Sequence, residues 1–161
     1  PTHSEITFKV KHLMISNVKG EFTTFNAEIE AEDDTFANAK VSAIIDTDSI
    51  FTNNTDRDNH LKSADFFNAE ANPKITFEAT SLNGNVTGNL TINGITKPVT
   101  LDVDFGGINS DPWGNTKAGF SFEGKIKRSD FGLTWNEALE TGGVMVSDEV
   151  KIAGELQFVK Q

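Results

Sequence analysis

The side chains best suited to chemistry in this sequence are the histidines His3, His12 and His60 and the arginines Arg57 and Arg128. Imidazole and guanidinium groups transfer protons or bind anions near neutral pH. The histidines lack the HxH or HExxH spacing of a zinc site, and without cysteine there is no thiolate ligand, thiol nucleophile or disulfide. No Gly-x-Ser-x-Gly nucleophile elbow occurs either. The sequence therefore predicts no catalytic residue and no metal site.

Several polar side chains are nevertheless expected to face the interior of the fold or its opening. Arg128 and Asp148 share inward parity on two strands and are expected to pair, either as a structural latch that specifies register or as a contact for a polar head group. His12 ends an inward run, and Arg57 and His60 lie on or beside a helix. These three could bracket a carbonyl, hydroxyl or phosphate at a pocket mouth. The alternative for each is a satisfied core or capping role.

The elements that must position these residues are β-strands, because apolar and polar residues alternate along most of the chain. Phe22 is out of step with Phe25, which predicts a bulge at Thr23–Thr24. Long loops are expected over residues 106–115 and 129–143. The clearest inward sets are Ile6, Phe8 and Val10, then Phe25, Ala27 and Ile29, then Val41, Ala43 and Ile45.

Two Asn-Gly pairs, Asn83–Gly84 and Asn93–Gly94, predict two-residue hairpin turns, because both central positions of such turns need positive φ. The turns place Lys97 on the inward face, so Lys97 either snorkels at an open end or is turned out by a slip near Pro98. The pairs they predict are Phe77 with Leu90, Ile75 with Ile92, Ala79 with Gly88, Gly88 with Val99, and Val86 with Leu101.

The segment from Thr55 to Phe67 breaks the strand pattern. Thr55 with Asp58 resembles a helix start, and Leu61 follows at helical spacing, so we predict one short helix between the third and fourth strands.

The last two strands are expected to pair large residues with small ones, which avoids overpacking. The predicted pairs are Ile126 with Val150, Gly124 with Ile152, and Phe122 with Gly154.

These elements predict one all-β domain over residues 1–161, in which about eight antiparallel strands close into a barrel that carries the short helix. Such a barrel is just wide enough to be filled by side chains or to hold one small ligand. Inward glycines and alanines favour a cavity, although a plain core is the alternative for any single residue. The predicted lining is Phe8, Val10, Phe22, Phe25, Phe77, Leu90, Phe105, Phe120, Phe122 and Ile152, with Leu61, Phe66 and Phe67 covering one end.

The net charge of −10 argues against nucleic acid as a partner, because the chain would repel a phosphate backbone. No run approaches the ~18 apolar residues of a membrane span, so no integral membrane segment is predicted. The sequence begins at Pro1 without a signal peptide. The compartment therefore stays open: periplasm if a signal was removed, and cytoplasm otherwise.

Seven segments resemble the YceI-like family in order and spacing, over nearly the whole chain. They are FKVKHLMISNVKGEF (8–22), DTDSI (46–50), RDNHLKSADFF (57–67), NPKITF (72–77), GNLTINGITKPVTL (88–101), KRSDFGL (127–133) and VSDEVKI (146–152). The resemblance implies a lipocalin-like barrel whose short helix caps an apolar tunnel. It further implies non-catalytic binding, storage or transport of a polyisoprenoid, isoprenoid quinone or fatty-acid derivative, with no other cofactor.

Two other interpretations stay open from the sequence. One is an enzyme that modifies such a lipid at the tunnel mouth, which would need a close acid–base pair there. The other is a structural or stress-related interaction module with a solid barrel core. Family members are often dimers, so a homodimer is one expected assembly, although no exposed apolar strip in the sequence requires it.

Overall fold

The computed structural model describes residues 4–12, 16–31, 39–80, 84–133 and 146–160, and at His12, Ser16 and Val146 it describes the backbone alone. Within this part, strands dominate and one α-helix, α1, spans Thr55–Lys62. Short 3-10 helices lie at Thr47–Ser49 and Arg128–Phe131. The strands are β1 (Glu5–His12), β2 (Ser16–Phe22), β3 (Phe25–Glu30), β4 (Lys40–Asp46), β5 (Ile50–Phe51), β6 (Lys74–Ala79), β7 (Gly84–Ile92), β8 (Ile95–Ser110), β9 (Thr116–Lys127) and β10 (Val146–Val159).

All ten strands form one curled antiparallel sheet in the order β3-β4-β6-β7-β8-β9-β10-β1-β2-β5. The two edge strands are β3 and β5. In the chain, β3 directly follows β2, which lies beside β5, and β5 follows β4, which lies beside β3, so the chain holds the two edges of the sheet near each other. The predicted all-β, barrel-like antiparallel fold with one short helix is therefore confirmed. The strand count differs from the prediction because two long strands are each broken in the middle.

The predicted bulge at Thr23–Thr24 is instead the break between β2 and β3. Phe22 pairs with Ile50 and Phe25 pairs with Ile45, so the partner strand is interrupted at the same level by the first 3-10 helix. Backbone bonds from Thr23 N–H to Ser49 C=O and from Asp46 N–H to Thr24 C=O hold the bend. The bend lets Phe22 and Phe25 reach the same core cluster. On an unbroken strand, residues three positions apart would face opposite sides of the sheet.

The register of β6, β7 and β8 follows the hairpin prediction. Phe77 pairs with Leu90 and Ala79 with Gly88, and the β7–β8 pairs Gly88 with Val99 and Val86 with Leu101 are also as predicted. Asn93 and Gly94 both have positive φ, as the predicted turn requires, whereas Asn83 lies outside the described residues. Pairing continues unbroken through Pro98, so no slip occurs there, and Lys97 reaches solvent although its partner Leu90 is buried.

The β9–β10 register also agrees with the prediction, with Phe122 opposite Gly154 and Ile126 opposite Val150. The loop predicted over residues 106–115 is wrong in its first half, because β8 continues to Ser110. A bulge between Phe105 and Gly107, with Gly107 at φ +112°, bends the strand and lets pairing resume. Most of the loop predicted over residues 129–143 lies outside the described residues.

Helix α1 begins one residue earlier than a Thr55 cap would place it. Asn54 is the N-cap, and its side chain accepts a hydrogen bond from the Arg57 N–H. The helix ends at Lys62, and turns occupy the following residues. It is too short and too polar to cross a membrane, and no other helix in the described ranges could do so.

Aromatic rings packed against glycines shape the concave face of the sheet. The Phe8 ring covers Gly20, the Phe77 ring covers Gly88, and the Phe122 ring covers Gly154, so closely that a Cβ on any of these glycines would overlap ring atoms. Because a glycine has no side chain, the ring can lie along the sheet instead of projecting across the interior.

Replacing Gly154 with alanine is expected to destabilise the protein by roughly 2 kcal/mol, within the usual range for overpacking. The new Cβ would lie 2.4 Å from the Phe122 ring and 2.6 Å from the Glu5 carbonyl oxygen, and the backbone atom cannot swing aside. Gly119 is the matched control on the neighbouring strand, since nothing lies within 4 Å of the position that a methyl group would take there. Gly119→Ala should be neutral or stabilising by about 0.5 kcal/mol. Urea unfolding measures both, and equal effects would contradict this packing account.

Candidate functional site

The curled sheet encloses a cavity of about 510 Å³, within the ~300–1,000 Å³ range of ligand pockets. Its wall is formed by the inward side chains of β1 to β4 and β6 to β10, and α1 contributes to one end. Two adjoining apolar clusters supply much of this wall. One is centred on Ile75, Leu90 and Leu101, and the other on Val86 and Phe120.

The cavity wall includes all of the predicted binding residues except His12, Phe25 and Phe105. The side chain of His12 lies outside the described part of the structure, and Phe25 is half-buried and packs against the core cluster. Phe105 has the predicted inward parity but sits at the rim, 41% exposed and stacked on Phe120. The predicted residues on the wall are Phe8, Val10, Phe22, Arg57, His60, Leu61, Phe66, Phe67, Phe77, Leu90, Phe120, Phe122, Arg128 and Ile152.

The prediction missed much of the aliphatic wall and one polar member, Asp56. Most of the aliphatic residues lie on strand faces that the period-two pattern predicts to point inward, so that pattern could have placed them on the wall. Leu133 follows the second 3-10 helix and belongs to no strand. The missed set also includes Ile6, Val18, Ala27, Val41, Ala43, Ile45, Ile75, Val86, Ile92, Val99, Leu101, Val103, Ile126, Leu133, Val150, Leu156 and Phe158.

The charged groups of the wall, with His60, gather at one end of the cavity. Asp56, Arg57 and His60 lie on α1, and Arg128 begins the second 3-10 helix. Asn93 at the β7–β8 turn joins the second 3-10 helix to the segment that precedes β6: it accepts from the Asn72 side chain at 2.9 Å and donates to the Phe131 carbonyl at 3.2 Å. The remainder of the wall is apolar, so the cavity has an apolar body and a polar end.

A buried hydrogen-bond network fixes Arg57 at this end. One carboxylate oxygen of Asp58 accepts from both the backbone N–H and the hydroxyl of Thr52, at 2.8 and 2.5 Å. The Arg57 guanidinium donates to the Thr52 hydroxyl at 2.8 Å and to the Thr52 carbonyl at 2.6 Å. Thr52 and Asp58 are both buried, so the first turn of α1 is tied to the end of β5. The guanidinium keeps further N–H donors for a ligand.

Arg128 is buried against backbone carbonyl groups. Its Nε donates to the Ser147 carbonyl at 3.0 Å and its Nη1 to the Leu133 carbonyl at 2.6 Å. Burial lowers the pKa of the Arg128 guanidinium from its usual range, and the charge of Asp148 opposes this shift. The Asp148 carboxylate accepts from the Ser129 N–H and hydroxyl at 2.9 and 2.8 Å. These bonds join the 3-10 helix to β10, while Arg128 also reaches the cavity wall. Asp148 itself is exposed, and its carboxylate accepts from Ser129, so the predicted latch between Arg128 and Asp148 stays a prediction.

His60 lies beside an acidic group at the same end. Its Nε2 is 2.9 Å from an Asp65 carboxylate oxygen, and its ring meets the Phe66 ring edge-on at 5.0 Å between centroids. Both partners of the pair are substantially exposed, at 40% and 55% of their side-chain surface. The arrangement orients the imidazole at the outer edge of the polar end.

The model of the YceI-like domain matches residues 1–158 of the chain. The chain belongs to the YceI-like family. This YceI-like chain is 45% identical to a UPF0312 protein of Staphylococcus epidermidis over 158 residues, which cover 97% of this chain and 92% of the relative. A UPF0312 protein of Staphylococcus aureus matches with the same identity and coverage.

Solved structures of other proteins share the fold. BcnA of Burkholderia cenocepacia has a TM-score of 0.82 and 26% identity, covering 98% of this chain and 97% of BcnA. The Campylobacter jejuni YceI protein has a TM-score of 0.78 and 36% identity, covering 95% and 91%. A polyisoprenoid binding domain from Saccharophagus degradans has a TM-score of 0.72 with 14% identity, covering 98% and 94%, and therefore shows the fold alone.

Removing the buried acceptor at Asp58 is expected to loosen the polar end of this YceI-like chain. Asp58→Ala leaves the Thr52 N–H and hydroxyl without their shared acceptor, which should cost about 2 kcal/mol of unfolding free energy. Asp58→Asn keeps an acceptor oxygen and should cost no more than about 1 kcal/mol. Chemical denaturation of the three proteins measures the series. An alanine variant as stable as the parent would refute the role of this network.

Proposed function

We propose that this chain binds, stores or transports a long amphiphilic apolar molecule in its cavity, without catalysis. The candidate ligands are polyisoprenoids, isoprenoid quinones and fatty-acid derivatives. The observation on which this rests is the cavity of about 510 Å³ whose wall is apolar except at one end, where Arg57 and Arg128 face it. An amphiphile matches that distribution, with its tail along the sheet and its head group at α1.

The energetics of tail burial are compatible with a reversible carrier. A tail that buries roughly 500 Å² of apolar surface gains on the order of 12 kcal/mol before costs, at ~25 cal/mol per Å². Lost ligand freedom removes at least several kcal/mol of this gain. The remainder corresponds to micromolar-to-nanomolar affinity, which permits both loading and release.

The alternatives have weaker support. A solid-core module does not fit a cavity of this volume among the described residues. An enzyme acting at the cavity end would use the His60–Asp65 pair, which is the specific observation in its favour. A His–Asp contact that is this exposed is, however, also common on protein surfaces without any catalytic role. If His60→Ala abolished turnover of a bound lipid, the enzyme hypothesis would replace the carrier hypothesis.

The cavity predicts co-purification of lipid and its loss when the cavity is filled. We expect organic extraction and mass spectrometry of purified protein to find an isoprenoid or acyl molecule. Ala43 lines the cavity, so Ala43→Trp should reduce the extracted lipid at least about tenfold, because the indole occupies tail volume. Ser42→Trp, on the exposed side of the same strand, is the matched control and should retain lipid. Lipid-free parent protein that also takes up no quinone analogue or fluorescent fatty acid would disprove the proposal.

The polar end predicts selectivity for an anionic head group. We expect a fatty acid to bind about tenfold more tightly than the alcohol of equal chain length, because a carboxylate gains charge-assisted bonds from Arg57. Arg57→Leu should bring the two affinities close together, and Arg57→Lys should restore part of the difference. Comparing the acid with the alcohol in each variant cancels any general loosening of α1. Isothermal titration measures the ratio, and a ratio unchanged in Arg57→Leu would remove Arg57 from the head-group site.

A further inference from the structure

The β8–β9 hairpin ends in a tip, residues 111–115, that presents an aromatic ring to solvent. Trp113 is 82% exposed there, the highest exposure among the exposed large apolar side chains of the described residues. β9 leads from this tip to Arg128, where the second 3-10 helix begins. The tip therefore lies at the opposite end of the sheet from the polar end of the cavity.

The tip is built to hold Trp113 in position. One carboxylate oxygen of Asp111 accepts from the backbone N–H groups of Trp113 and Asn115, each at 2.9 Å. The other accepts from the Asn115 side-chain amide at 3.1 Å. The Asp111 N–H donates to the Asn115 carbonyl, and Gly114 takes a positive φ of 85°. Because the turn is already ordered, little backbone entropy is lost when the exposed indole contacts a partner.

The tip is also electrically neutral in a strongly acidic protein. Between Ile108 and Lys117 the only charged residues are Asp111 and Lys117, and their side chains approach to 3.5 Å. The chain as a whole has a net charge of −10. The tip is thus a part of the surface that can leave water without burying a net charge.

Stacked rings connect the base of this hairpin with the cavity. Phe105, 41% exposed at the rim, stacks on Phe120 with 5.0 Å between centroids. Phe120 meets Phe158 edge-on at 6.0 Å, and both of these residues line the cavity. Apolar surface therefore runs from the exposed base of the hairpin to the cavity interior, at the end away from the charged groups.

We propose that this tip is a membrane-docking element, in which Trp113 inserts into the interface of a lipid bilayer and orients the apolar rim at the base of the hairpin toward the membrane. The proposal rests on the proposed function and adds the route by which an apolar ligand is exchanged. A bilayer fits better than a protein partner, because one indole buries only ~150–250 Å² whereas a specific protein interface needs ~1,000 Å² or more. Tryptophan also favours the bilayer interface.

The charge of the protein also indicates which lipid head groups favour this contact. The net charge of −10 repels anionic head groups, so a zwitterionic surface is the better partner. The tip exposes Trp113 and carries no net charge of its own, which limits this repulsion at the contact itself.

Quenching of a single tryptophan tests the insertion. Trp135→Phe leaves Trp113 as the only tryptophan of the chain. Phosphatidylcholine vesicles with brominated acyl chains should quench its fluorescence at least twofold and shift the emission to the blue, and added anionic lipid should weaken both effects. In the reciprocal protein, Trp113→Ser, the remaining tryptophan reports the background. Absence of vesicle-dependent quenching at Trp113 overturns the proposal.

Transfer kinetics connect the insertion to ligand exchange. Trp113→Ser should slow the movement of a fluorescent fatty acid from vesicles to the protein at least fivefold, while its equilibrium affinity for the same fatty acid stays within twofold. Phe51→Ser is the matched control, because Phe51 is also an exposed aromatic residue, at 45%, but lies on β5 beside α1. Because Trp113 is mostly exposed, its replacement should leave the unfolding temperature unchanged, which verifies folding.

The outcomes separate this proposal from the proposed function. Equal transfer rates for Trp113→Ser and the parent overturn membrane docking and leave lipid binding standing. Quenching at Trp113 in a protein that takes up no lipid supports docking and removes the carrier function. Concentration-dependent self-association that is lost in Trp113→Ser, without vesicle binding, assigns the tip to a second copy of the chain and overturns the proposal.

Discussion

A sheet that curls on itself buries one whole face, and its inward side chains must either fill the space they surround or leave it empty. In this protein the space stays open because phenylalanine rings fold against glycines of neighbouring strands. A methyl group on Gly20 would lie 2.3 Å from the Phe8 ring, which shows how closely that ring follows the sheet. Large apolar residues therefore form a wall without projecting into the centre, and the other features of the site depend on this geometry.

The two ends of the cavity differ chemically because different elements cover them. At one end α1 and the second 3-10 helix bring Arg57 and Arg128 to the wall, and both guanidinium groups are anchored by backbone carbonyls. At the other end apolar surface continues to Phe105 at the base of the β8–β9 hairpin, and the tip of that hairpin carries no net charge. Under the proposed function, this polarity would give an amphiphile one preferred orientation, since burying a charged head among the rings would be costly.

The charged groups at the polar end are structural members as well as candidates for binding. Arg57 completes the bonds of Thr52, and Arg128 joins the 3-10 helix to β10 through Ser147. A site assembled in this way is already rigid before a ligand arrives, which limits the entropy lost on binding. It also means that replacing either arginine changes stability and affinity together, so that only comparisons between paired ligands isolate the head-group contact.

Most of the fold was predictable from local pattern. Alternation fixed the inward faces, Asn93–Gly94 set the β7–β8 register, and matching of large with small residues placed Phe122 against Gly154. The errors occurred where long-range geometry overrides alternation. The break at Thr23–Thr24 is needed for the curl of the sheet, and the bulge at Gly107 extends β8 beyond its predicted end. Neither is visible in the period of the residues on either side.

The sequence by itself determined which residues face inward, because strand parity is a local property, and hence nearly all of the aromatic wall. Only the tertiary structure decided that the interior is hollow, that Phe105 stands at the rim, and that Asp58 serves Thr52. The physical reason is that a void, a rim and a buried hydrogen bond between elements depend on how far the sheet curls and where its strands bend. Those quantities arise from the packing of many residues distant in the chain.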